Sequence, residues 1–93
     1  SGEEPAENRY TSLLEQVEQY DREKKTQYLA TLETYLDHQN RPNQAAKLLF
    51  IHRNTLYQRL EKINDLWGID FQDPLAVLNI TLAIKSKRLS QST

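Results

Sequence analysis

Apolar residues recur along this chain at helical spacing. The clearest stripe is Leu56, Leu60, Ile63 and Trp67, whose i, i+4, i+7, i+11 spacing keeps one face of a helix inward. Gly68 follows as a C′ residue that ends this helix. Upstream, Ala45, Ala46, Leu48 and Leu49 predict a shorter helix, with Asn43 as its N-cap. The Phe50-Ile51 pair is expected to anchor the connecting turn in the core, and the second helix opens near His52 or Arg53. Residues 43–67 thus predict a helix-turn-helix. Two small residues early in its first helix allow a close crossing.

The remaining pattern supplies support for that motif. Tyr10, Leu13, Leu14 and Val17 predict a helix near 9–19. Asp21 is the expected N-cap of another over 22–38, carrying Tyr28, Leu29, Leu32, Tyr35 and Leu36; the two tyrosines read as core-edge residues. Gln39-Asn40-Arg41-Pro42 breaks it. Ile69 and Phe71 sit in a short extended link. Asp73-Pro74 is a helix start, with Asp at N-cap and Pro at N1. The last helix runs to about Arg88 and has two apolar stripes, Leu75, Leu78, Leu82 and Val77, Ile80, Ile84. Either it is central to the core, or its second stripe meets another copy. The fold class is all-α, with about five helices and the fourth as recognition helix.

Ninety-three residues make one domain with a modest core. Residues 1–8 are polar and acidic and read as a disordered linker remnant, with Ser1-Gly2 an expression scar; 9–89 is the domain and 90–93 a tail. The missing initiator Met suggests a piece of a longer protein. The absence of Cys fits a reducing cytoplasm, and no apolar run is long enough to span a membrane. Net charge is −1, which argues against an indiscriminate polyanion binder. The charge is unevenly spread. Residues 1–39 carry nine acids against four bases, whereas residues 41–62 carry five bases against Glu61 alone. Lys85, Lys87 and Arg88 suit the negative end of the last helix dipole.

This focus of positive charge makes the outward face of the fourth helix the candidate chemistry. Arg, Asn and Gln pair with base edges in the major groove, where the first turns of a recognition helix lie. Arg53, Asn54, Tyr57 and Gln58 are the candidate base readers. Asn43, Gln44, His52, Thr55, Arg59 and Lys62 are the candidate phosphate contacts. The bland alternative is an α-hairpin with a solvated face, in which His52 simply caps the helix and Arg59 pairs with a core-edge carboxylate. No enzyme is indicated. There are two histidines, no cysteine, and glycines only at positions 2 and 68, so no catalytic, metal or cofactor constellation is expected. The rival from another class is a helical protein-interaction or dimerisation module without DNA binding.

The strings His52-Arg53-Asn54-Thr55-Leu56, Arg59-Leu60 and Gly68-Ile69-Asp70 resemble the C-terminal helix-turn-helix of the PucR family of bacterial transcription regulators. That motif is in turn similar to the one in the Fis protein. The resemblance runs from about Tyr20 to Leu89 and includes Tyr20-Asp21, Leu32, Tyr35-Leu36, Asn40 and Asp73-Pro74. Two positions depart from the family pattern. Gln58 replaces a frequent Tyr on the reading face, so base preference does not carry over. Gln39 replaces a glycine, which Asn40 can offset by adopting a left-handed conformation itself. The resemblance implies sequence-specific binding of double-stranded DNA by the output domain of a cytoplasmic regulator. It further implies that an N-terminal portion absent from this chain binds the effector. A homodimer is expected, with Val77, Ile80 and Ile84 as its surface.

Overall fold

The computed structural model describes residues 6–39 and 41–92, with side chains from residue 9 onward. The described residues form five helices: α1 (Ala6–Lys24), α2 (Tyr28–Asp37), α3 (Pro42–Leu48), α4 (Arg53–Trp67) and α5 (Pro74–Gln91). The all-α expectation and its helix count hold. α1 begins three residues inside the segment expected to be linker, and α5 continues into the expected tail. Asn40, expected in a left-handed turn, lies outside the described residues.

The first boundary differs from expectation for a physical reason. α1 continues through Asp21 to Lys24, where Lys25 turns left-handed (φ 58°). α2 starts only at Tyr28. The Asp21 carboxylate nevertheless caps it across the turn: Oδ1 accepts from the Tyr28 N–H at 2.8 Å and the Thr26 hydroxyl at 2.6 Å, and Oδ2 accepts from the Leu29 N–H at 2.9 Å. Gln27, at the N-cap position itself, makes no side-chain cap. One carboxylate therefore satisfies two orphan amides of α2 while belonging to α1.

Asn43 is likewise not the cap of α3. Pro42 keeps Arg41 out of the helical region (φ −139°, ψ 65°), so Arg41 becomes the flanking residue and Pro42 the first helical one. The later boundaries fall as expected. His52 Nδ1 accepts from the Asn54 N–H at 3.0 Å, Gly68 closes α4 at φ 68°, and Asp73 caps α5 through the Leu75 N–H at 3.0 Å.

α2 packs against all four other helices. The core joins Leu14 of α1, Leu32 and Leu36 of α2, Ala45 and Ala46 of α3, Leu56, Leu60 and Ile63 of α4, and Ile80, Ala83 and Ile84 of α5, with Ile69 from the link. Trp67 closes the α4 stripe edge-on to Tyr20 and Tyr28, with ring centroids 5.4 and 6.0 Å apart. Tyr35 meets Phe71 in the same way at 5.4 Å. The tyrosines of α2 are thus core-edge residues, as read.

Two apolar assignments are corrected. Ile80 and Ile84 are buried and Val77 is half-buried, so the stripe expected to meet a second copy is already covered by this chain. α1 takes that face, because Ala76 and Ala83 beside Ile80 leave room for a close crossing. The exposed stripe is the other one, Leu75, Leu78 and Leu82, joined by Leu89. Phe50, expected in the core, is 95% exposed; only Ile51 of the pair turns inward, to half burial.

Candidate nucleic-acid interface

The interface is built on the turn between α3 and α4. Leu49 ends α3, and Phe50 follows in the left-handed conformation at φ 58°. The Ile51 N–H donates to the Ala46 carbonyl at 3.0 Å, and the Phe50 N–H donates to the Lys47 carbonyl at 3.1 Å. These two bonds make a Schellman closure, whose left-handed position is usually glycine. The turn then delivers His52 in an extended conformation as the N-cap of α4. Because its Nδ1 accepts the Asn54 N–H, a neutral His52 carries its proton on Nε2, which points away from the cap.

Burial of Leu56, Leu60 and Ile63 fixes the rotation of α4. Arg53, Asn54, Tyr57 and Gln58 consequently all lie exposed over its first two turns, with His52 before them and Lys62 after. Asn43 and Gln44 are exposed on α3, and Thr55 is half-buried at the flank. Tyr57 leans toward α2. Burial, and secondarily the Tyr57 hydroxyl nearby, push the Tyr35 phenol above its ordinary pKa.

Arg59 behaves differently from the rest of the candidate set. It is half-buried, and its Nη1 donates to the Thr31 hydroxyl of α2 at 3.1 Å. Thr31 is fully buried and donates in turn to the Gln27 carbonyl at 2.7 Å. The guanidinium thus braces α4 on α2 with a hydroxyl as partner, neither the phosphate of the candidate set nor the core-edge carboxylate of the alternative. Nothing in the sequence around Thr31 marks it, since a threonine in a helix commonly bonds its own preceding turn.

The charge map sharpens the site. The C-terminal cations are consumed within the domain: Lys85 lies 3.6 Å from Asp37, Lys87 lies 3.7 Å from Glu18, and Arg88 pairs with Glu33 and Asp37 at 3.1 Å each. The Arg88 hydrogen bond, aided by Lys85, holds the Asp37 carboxyl below its ordinary pKa, and the same contacts raise that of Arg88. Arg41, Lys47, Arg53 and Lys62 take no ion pair among the described residues. Arg9, Lys24 and Lys25 at the first helix and its turn are likewise without an ion pair among the described residues, so uncompensated positive charge lies on the motif and its N-terminal flank but not there alone. Among the described residues no group of three or more His, Cys, Asp or Glu could hold a metal, and no helix is long and apolar enough to cross a membrane.

A capped helix presenting Arg, Asn and Gln outward from a two-helix corner defines a helix-turn-helix of the DNA-binding class. The chain belongs to the PucR family: the profile of the PucR C-terminal helix-turn-helix domain matches residues 28–86. It is 35% identical over 80 residues to the purine catabolism regulatory protein of Bacillus subtilis (strain 168), covering 86% of this chain and 15% of that protein. The DNA-binding transcriptional activator AdeR of the same organism is 36% identical over 80 residues, covering 86% of this chain and 19% of AdeR. The carbohydrate diacid regulator of Escherichia coli (strain K12) is 41% identical over 61 residues, covering 62% of this chain and 16% of that protein. The chain thus spans less than a fifth of the length of these relatives. No solved structure matches it. The described structure is accordingly a DNA-binding domain of the kind carried by PucR-type transcription regulators.

Proposed function

We propose that this chain is the sequence-specific output domain of a cytoplasmic bacterial transcription regulator. α4 enters the major groove, where Arg53, Asn54, Tyr57 and Gln58 read base edges. Asn43, Gln44, His52, Thr55 and Lys62 hold phosphates on either side. Arg59 is kept out of that set by its bond to Thr31 and sets the angle of α4.

The observation that carries the reading is the exposure of four base-competent side chains on the first two turns of one capped helix. The concentration of unpaired cations beside them supports it. One recognition helix makes few contacts, so binding as a two-fold pair on inverted half-sites, about 34 Å apart, raises the affinity. The relatives are named for purine catabolism and for a carbohydrate diacid, and each shares less than a fifth of its length with this chain. In this reading the effector site of the regulator to which this domain belongs lies outside this segment, which is supported by the chain spanning less than a fifth of those relatives.

The test is substitution on the reading face. Arg53→Ala and Asn54→Ala are expected to abolish binding to a selected duplex while circular dichroism and melting temperature stay unchanged. Full retention of affinity in both variants refutes the assignment.

A further inference from the structure

Phe50 serves neither the core nor the base-reading set. Its ring is 95% exposed, more than any other large apolar side chain among the described residues. It also stands at φ 58°, in a helix-closing position that glycine fills without steric cost. Sparsely populated backbone conformations of this kind cluster at functional sites. The Ile51 and Phe50 amides donate to the Ala46 and Lys47 carbonyls at 3.0 and 3.1 Å, so the backbone that carries the ring is fixed. A contact made from a fixed backbone loses little further freedom on binding.

The position of the ring identifies what it meets. His52, the cap of α4, and Arg53 follow within three residues, and Lys47, three residues earlier, takes no ion pair among the described residues. The ring is therefore continuous with the candidate interface, on the corner between α3 and α4. When a helix-turn-helix docks, its first helix crosses the phosphate backbone and the start of its second reaches the base edges. The corner between them then lies over the wall of the major groove. The apolar group that a base presents in that groove is the C5-methyl of thymine. Apolar wedges that unstack bases act from the minor groove instead.

We propose that Phe50 is a specificity-determining residue whose ring packs on the methyl group of a thymine at the edge of the sequence read by α4. This rests on the placement of α4 in the major groove proposed above. It adds an apolar contact to a set of side chains that otherwise act by hydrogen bonding. Cytosine carries no methyl at that position, so the ring selects thymine over cytosine without a hydrogen bond of its own.

The test pairs a change in the protein with a change in the DNA. The duplex that the wild-type chain binds tightest is remade with each thymine in turn replaced by deoxyuridine, which deletes the methyl and keeps every hydrogen-bonding group. Affinities are read by fluorescence anisotropy at one salt concentration. For wild type, replacement at one thymine of each half-site is expected to weaken binding about fourfold, the worth of one buried methyl. Phe50→Ala is expected to bind the unmodified duplex about tenfold more weakly and to be indifferent to that same replacement, so the two changes are not additive. Phe50→Gly is expected to bind as weakly as Phe50→Ala although it melts higher than wild type, which separates the contact from the stability of the turn. Wild-type affinity in Phe50→Ala overturns the proposal, and the reading of α4 survives if Arg53→Ala still abolishes binding. A loss in Phe50→Ala that couples to no thymine also overturns it, and places the ring on deoxyribose. A wild-type chain that selects no duplex overturns both.

Discussion

Arg59 of the recognition helix donates from Nη1 to the hydroxyl of Thr31, a fully buried side chain on α2, at 3.1 Å. Through this contact the reading face is oriented by a residue 28 positions earlier in the chain. Thr31→Val keeps the shape and removes the acceptor, leaving a half-buried guanidinium unpaired. A stability loss of about 1–3 kcal/mol is expected, read from urea or thermal unfolding. Arg59→Ala should lose a similar amount, and the double variant less than the sum. If Arg59 braces the helix and does not touch phosphate, Arg59→Gln leaves the salt slope of DNA binding unchanged, whereas loss of a phosphate contact would reduce it by about 0.9.

Asp21 holds the α1–α2 turn by accepting from two backbone amides and one hydroxyl. Asp21→Ala strands those donors and is expected to cost about 1–3 kcal/mol, measured by chemical denaturation. Thr26→Ala removes only one of the three bonds and should cost much less.

Phe50 occupies the left-handed position of the α3–α4 turn with its ring almost wholly in solvent. A side chain there costs about 1–2 kcal/mol, while glycine adds unfolded-state entropy of about 0.4–1 kcal/mol. Phe50→Gly should therefore stabilise the domain by up to about 1 kcal/mol, seen as a higher urea midpoint at constant m-value. Destabilisation would show that the ring packs on something.

Asp37 has its pKa lowered in the folded state, chiefly by the Arg88 hydrogen bond and also by Lys85. A depressed carboxylate stabilises the fold above its unfolded pKa of about 3.9 and ceases to do so as pH falls through the folded value. The melting temperature is expected to fall as pH drops through and below about 4. Asp37→Asn should melt lower than wild type at neutral pH and show a shallower fall. Equal slopes for the two proteins would show that the clamp between α2 and α5 does not form.

Much of this architecture is legible in the sequence where the determinants are local. The stripe Leu56, Leu60, Ile63 defines the inward face of α4, and with it the outward set from Arg53 to Gln58. Gly68, Asp73 and His52 mark helix ends by their own backbone preferences. The determinants that escape are those that act at a distance. Asp21 caps a helix beginning seven residues later, which no cap pattern encodes. Leu78 and Ile80 lie on stripes of similar spacing, and only the close approach of α1 beside Ala76 and Ala83 decides which is buried. Hydrophobicity alone predicts Phe50 inward, but the turn closure dictates its direction. Arg59 faces the flank of α4, where periodicity alone does not separate a phosphate contact from a brace.

The central claim is that the outward face of α4 reads duplex DNA, and fluorescence anisotropy against a pool of short duplexes across a salt series tests it most directly. The account predicts one sequence bound several hundredfold tighter than the pool. It also predicts a log–log salt slope of about −3 to −6, since each neutralised phosphate contributes about −0.9. Absence of binding at low salt, even for the domain fused to a dimerising partner, would contradict it.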